Sequence, residues 1–309
     1  MSHKFVRIAL FTVLVSGLVI QTMNYSESGK SAAQSQQSMN QQFIQMMTLM
    51  NANLAASSAN YRVEVVEYLT LADAGEVGQT VFFKDRSNNQ LAARFVPGDP
   101  RRGGRTNITY LVDQTEGAND GLTVAQTTAA IDRAVTTWNN VQCSNIPITK
   151  LPDIPGADLG LAEALLLGQI GGQFALADIT HAGWIRGGIL PNGVIAGTFG
   201  MFFVDPATGQ PTDINNDGKP DVAFREILYN DFHTWGINRD VDVESIALHE
   251  FGHGLSQSHF GMAFVTGSNG KIHFAPQAVM NAAYSGIQHN ITGTDNAGHC
   301  SIWESWPNN

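Results

Sequence analysis

Polar and apolar residues alternate from Tyr61 to Tyr68 (Tyr-Arg-Val-Glu-Val-Val-Glu-Tyr), over residues 80–83 and again over 91–96, the period-two pattern of half-buried strands. Pro97-Gly98-Asp99-Pro100 then breaks structure, and Arg101-Arg102-Gly103-Gly104-Arg105 completes a boundary. Beyond it, residues 107–112 read as a strand. Thr123 is placed to cap a helix running to about Val141, with Ile131, Ala134, Val135 and Trp138 on one face. Residues 174–179 and 194–204 read as further strands, the second long, interrupted by glycine and suited to a bent sheet edge. Val241 to Leu248 leads in with helical periodicity, and a short helix is expected from about Thr294 to Trp306. Strands and one long helix first, then a second helix, predict an α+β domain of about 200 residues over 103–309. No internal repeats are present.

The N-terminal hundred residues read differently. Lys4 and Arg7 precede the apolar run Ile8 to Ile20, shorter than the ~20 residues of a membrane span and of the length of a signal-peptide core. Residues 1–24 are therefore read as an export signal, with no Ala-x-Ala site to fix the cut. An uncleaved membrane anchor is the alternative. Residues 25–60, rich in Ser, Gln, Asn and Ala, read as a low-complexity linker or pro-segment, with a weak amphipathic helix over 39–54 as a further option. Residues 61–102 form a β-rich N-terminal or pro-region.

Composition narrows the function classes. The chain of 309 residues carries 17 basic and 27 acidic side chains, a net charge of −10. It has no basic patch to neutralise phosphates, which argues against a nucleic-acid partner. Cys143 and Cys300 are the only cysteines. In an exported chain they can form one bridge, with two buried free thiols as the other reading.

The densest chemistry lies at His249-Glu250-Phe251-Gly252-His253-Gly254-Leu255-Ser256-Gln257-Ser258-His259. On a helix, residues four apart share a face and lie about 6 Å apart along the axis. His249 and His253 can therefore grip one Zn²⁺ with Glu250 beside the ion, and His259 is the obvious third ligand, leaving a position for water. A second signal is Asp213-x-Asn215-x-Asp217-Gly218-Lys219-x-Asp221, in which alternate oxygen side chains and the Lys219 carbonyl could surround a structural Ca²⁺. Phe224 stands where an EF-hand has its bidentate Glu, so the pattern is a shorter loop. An Asx-rich surface turn is the plainer reading.

With these pieces placed, the chain resembles the matrixin branch of the metzincin metallopeptidases. His249, Glu250, His253 and His259 match the family motif, and Asp242 to Leu248 is similar to the run before it. Residues 107–112, the run Ala130 to Trp138, and Ala177-Asp178-Ile179 are similar too, and Ala278-Val279-Met280-Asn281 resembles the Met-turn, which sets Met280 beneath the metal. The likeness covers residues 103–306. It implies a twisted, mostly parallel sheet with an active-site helix, a Met-turn and a C-terminal helix. It also implies an exported zinc endopeptidase acting on proteins or peptides, with Glu250 as general base and the substrate extended along the edge strand near 194–204. The sequence departs from the family in several ways. Ser256 replaces the Gly that turns the chain toward the third His. Met280 lies farther past His259 than is usual, implying an inserted loop around Gly267 to Lys271. The cysteine-switch motif is absent, and Phe95 to Asp99 resembles instead the aspartate-bearing pro-segment of astacins, which would make Asp99 a latency ligand. The competing functional reading is a non-catalytic exported metal-binding or adhesion protein on the same scaffold.

Overall fold

Met39, Phe43, Met47, Met50 and Leu54 recur every three or four residues. In the computed structural model, which describes residues 32–85, 93–115, 117–118, 120–167, 177–268 and 270–308, they form the buried face of helix α1 (Ala32–Ala56). The segment expected to be a linker is thus largely a packed helix; its Gln- and Asn-rich face masks an apolar stripe built from methionines. The export signal read over 1–24 lies outside the described residues, as do residues 174–176 of the strand expected at 174–179; of the described part, Ile179 alone is in a strand. Among the described residues no helix is long and apolar enough to cross a membrane.

After α1 come β1 (Tyr61–Leu71), β2 (Thr80–Phe82), β3 (Ile108–Val112), α2 (Val124–Asn139), β4 (Ile148–Lys150), α3 (Leu161–Leu167), β5 (Ile179–Ile185), β6 (Val194–Phe203) and β7 (Val222–Asn230). Short strands β8 (Trp235–Gly236) and β9 (Val241–Asp242) lead into α4 (Val243–Gly254). The chain ends with the hairpin β10 (Met262–Val265) and β11 (Ile272–Ala275), then β12 (Ala283–Tyr284) and α5 (Gly293–Trp303). Thr123 caps α2 as expected, within a reciprocal capping box with Gln126.

The architecture is α+β around one mixed sheet of order β12-β1-β6-β7-β5-β3-β4, with β2 beside β1. Among the described residues, four of its seven strand pairings are parallel and three antiparallel. Strands β4, β3, β5 and β7 run parallel, whereas β6 is antiparallel to β7 and β1 is antiparallel to β6. Two expectations change here. First, β6 is not an edge strand, because β1 pairs along it from Tyr61 opposite Phe203 to Thr70 opposite Val194. Second, 61–71 does not form a region apart from 103–309, since it is a fully integrated strand of the same sheet. Within the described residues 93–96, the strand expected over 91–96 is represented by a bridge between Arg94 and Asp221.

Side chains alternate between two cores. Val65, Leu69, Ile227 and Tyr229 face the cluster that holds α2 and α4, including Trp138, Leu248 and Phe251. Val63, Val66, Tyr68 and Phe199 face the cluster covered by α1 and α3. The result is three layers, with α2 and α4 on one face of the sheet, α1 and α3 on the other, and every residue of α4 buried. The loop expected around 267–271 is the tip of the β10–β11 hairpin, whose β10 residues are all exposed.

Candidate metal centre

Helix α4 starts where Asp242 accepts hydrogen bonds from the amide and hydroxyl of Ser245, at 2.9 and 2.7 Å. Two glycines inside it have packing reasons. A side chain at Gly252 would overlap Met280 Sδ, and one at Gly254 would press on Ile179 at 3.0 Å. The indole of Trp138 donates to the Leu248 carbonyl at 2.8 Å, tying α4 to α2.

His249 and His253 project from one face, their Nε2 atoms 3.0 Å apart, and His259 Nε2 lies 3.1 Å from each. The turn that delivers His259 is made at Ser256, which takes φ 65°, in the left-handed region that favours Gly. The Ser256 amide donates to the His253 carbonyl and the Gln257 amide to the Gly252 carbonyl, the two bonds of a Schellman turn. A left-handed non-glycine costs roughly 1–2 kcal/mol. Buried Arg225 offsets part of it by donating from Nη2 to Ser256 Oγ at 3.2 Å.

The donor chemistry fits a zinc ion. His249 Nδ1 donates to the Val279 carbonyl and His253 Nδ1 to the Gln257 carbonyl, both at 2.7 Å, which leaves Nε2 as a lone pair in each neutral ring. Burial holds the rings neutral. It lowers His249 to about 4, and it drives His253 and His259 well below the usual imidazole range with help from their neighbouring rings. Lone pairs facing one another at 3.0–3.1 Å repel unless an electrophile lies among them, and tetrahedral zinc would set them about 3.3 Å apart. Among the described residues this trio is the group of His, Cys, Asp and Glu side chains that converges on one point.

Glu250 is fully buried beside it. Its Oε2 accepts from Thr198 Oγ1 at 2.6 Å, and its Oε1 has no hydrogen-bond partner among the described residues. Burial raises its carboxyl to about 8. Met280 is buried, its Sδ so close to Gly252 that a Cβ there would overlap it.

Sequence reasoning missed two acidic residues here. Asp295, in the first turn of α5, accepts from the amides of Val279 and Met280, each at 3.0 Å, and so fixes the carbonyl that orients His249. The Thr292-x-x-Asp295 capping box was the signal available for it. Glu67, on β1, lies 3.4 Å from His253 Nδ1 and 3.5 Å from Arg225 Nη1. Its burial raises the carboxyl to about 7 against the pull of Arg225. Within an alternating strand nothing distinguished it.

Cys143 and Cys300 form a disulfide, Cα atoms 5.6 Å apart, joining the segment after α2 to α5. Among the described residues, the carboxylates of Asp213, Asp217 and Asp221 do not form a group converging on one point. Asp213 accepts from the amides of Asp217 and Gly218, Asp217 receives Arg94 Nε at 3.0 Å, and Asp221 receives Arg101 Nη2 at 2.6 Å. Asn215 donates to Asp217, and Lys219 enters through its amide. Two guanidinium groups neutralise the loop, as cations contributed from elsewhere in the chain. Asp99 does not reach the trio, because both its oxygens are held by Arg101. Tyr284 spends its hydroxyl on the backbone of Asp240 and Asp242. His181 pairs with Tyr229 and His233 with the Val194 carbonyl, ordinary polar roles. No family model matches the chain, and no curated protein matches its sequence.

Proposed function

We propose that this protein is an exported zinc endopeptidase of the metzincin type, similar to matrixins. The observation that carries the reading is the convergence of three Nε2 lone pairs next to a buried carboxylate with one free oxygen. Zinc held by His249, His253 and His259 would supply Lewis acidity toward a peptide carbonyl and a water molecule. Glu250 Oε1 takes one proton from the attacking water as the new carbon–oxygen bond forms, and returns it to the amine nitrogen as the carbon–nitrogen bond breaks. Thr198 keeps Oε2 fixed, so that Oε1 is the oxygen left for this exchange. Val279 and Gln257 hold the ligand rings through their carbonyls. The disulfide supports an oxidising, extracytosolic location.

A second reading, a non-catalytic metal-binding module, draws support from the burial of the trio, with His249 2% and His253 0% exposed. Incubating the zinc-loaded chain with a peptide library, with and without a chelator, separates the two. Chelator-sensitive cleavage that Glu250→Ala abolishes supports the peptidase, whereas bound zinc with no product from any form of the chain supports the module.

A further inference from the structure

Strand β1 occupies the position in which an extended peptide substrate would pair beside the trio. One of its edges runs antiparallel to β6, the strand that carries Thr198. Its other edge pairs parallel with β12, Thr70 opposite Ala283 and Leu71 opposite Tyr284, just after Met280. An extended segment paired on both sides as it crosses a metal centre is the β-augmentation mode of peptide recognition. Side chains on the α4 face of β1 reach the centre itself. Leu69, 1% exposed, lines a cavity of ≈ 20 Å³ together with His249, Val279, Ala278 and Tyr284. That leaves room for about one water molecule. Two residues earlier, Glu67 lies 3.4 Å from His253 Nδ1. With β1 in place, His253 and Glu250 are both 0% exposed, so no protein substrate can reach them.

We propose that β1 is a resident peptide that covers the trio and keeps the full chain latent. Latency toward peptides rests on the peptidase reading; the covering of the trio does not. Substrates run in the direction of β1, antiparallel to β6. Activation requires β1 to leave, and since it is bonded on both edges, a cut in a neighbouring turn is the economical route. Asp73 and Gly75 are exposed immediately after the strand.

The test uses the full chain with a site-specific protease sequence inserted after Gly75, alongside Leu69→Asp and Leu69→Met. Zinc extraction by a small colorimetric chelator and zinc uptake by the apo chain report access to the trio; peptides varied at the residue after the cut bond report activity. Cutting the inserted site and Leu69→Asp are each expected to speed extraction and uptake at least tenfold, while Leu69→Met stays at the parent rate. Cleavage is expected to appear in the same samples. Equal extraction and uptake rates in intact, cut and Leu69→Asp chains overturn the proposal. If circular dichroism shows that Leu69→Asp does not fold, the cut chain decides alone. Faster zinc exchange with no peptide cleavage upholds the resident strand and removes the peptidase reading instead.

Discussion

Thr198 Oγ1 donates to Glu250 Oε2 across 2.6 Å, which couples the central sheet to the carboxyl group that shares helix α4 with His249 and His253. The pair divides the work of the carboxylate, one oxygen anchored and one free. In the chain opened by a cut after β1, Glu250→Ala is expected to retain one zinc per chain and lose 10²–10⁴-fold in kcat/KM. Thr198→Val should cost about tenfold, mainly in kcat, because the carboxylate then loses one orienting hydrogen bond. Metal analysis beside peptide kinetics checks both. A Glu250→Ala chain that cleaves at the parent rate removes Glu250 from the reaction.

Ser256 allows the backbone and side-chain contributions of one turn to be measured separately. Ser256→Ala keeps a Cβ in the left-handed region and deprives Arg225 of its partner, so a loss of about 1–3 kcal/mol is expected. Ser256→Gly loses the same partner but relieves the backbone, and should be more stable than Ser256→Ala by about 1 kcal/mol. Urea unfolding of the two variants gives the difference directly. Equal stabilities would mean that the left-handed turn carries no cost.

Gly252 and Met280 are packed so closely that neither can grow. Gly252→Ala is expected to push Met280 away and to destabilise the fold by about 1–3 kcal/mol. Because Val279 orients His249, zinc affinity should fall in the same variant. Thermal unfolding and a competitive zinc titration read the two effects. An unchanged affinity would show that the turn at 279–280 is decoupled from the ligand.

His181 sets an acid limit. Burial lowers it to about 3 from its usual 6.5, and it lies stacked between Tyr229 and Phe251. The unfolded chain then binds one more proton than the folded chain between those values, so stability present above pH 6.5 is lost as pH falls toward 3. The expected slope is about 1.4 kcal/mol per pH unit from this group alone. His181→Phe should flatten it by one proton, as judged by urea midpoints between pH 7 and 4.

The parts legible in sequence were those that depend on local spacing. Four-residue spacing on a helix places His249 above His253, and Thr123 caps α2 through a contact within one turn. What sequence hid depends on partners far along the chain. Residues 194–204 read as an edge strand, because nothing local says that residues 61–71 return to cover it. The loop 213–221 reads as a calcium site from its alternating oxygens, and nothing local says that Arg94 and Arg101, more than a hundred residues upstream, pair with Asp217 and Asp221. Methionine and glutamine disguised α1, since a stripe of Met39, Met47 and Met50 carries weaker helical contrast than leucine would.

Breaking the bridge between Cys143 and Cys300 should cost about 2–5 kcal/mol, measured on the double alanine variant or under reductant. The bridge also bears on what proteolysis can remove. Thr198, the three histidines, Met280 and Asp295 all lie between its two ends, inside a single covalent ring. Trimming of the chain anywhere upstream of residue 143 would leave that ring closed, so the protein could shed its leading segments without opening the circle that encloses its chemistry.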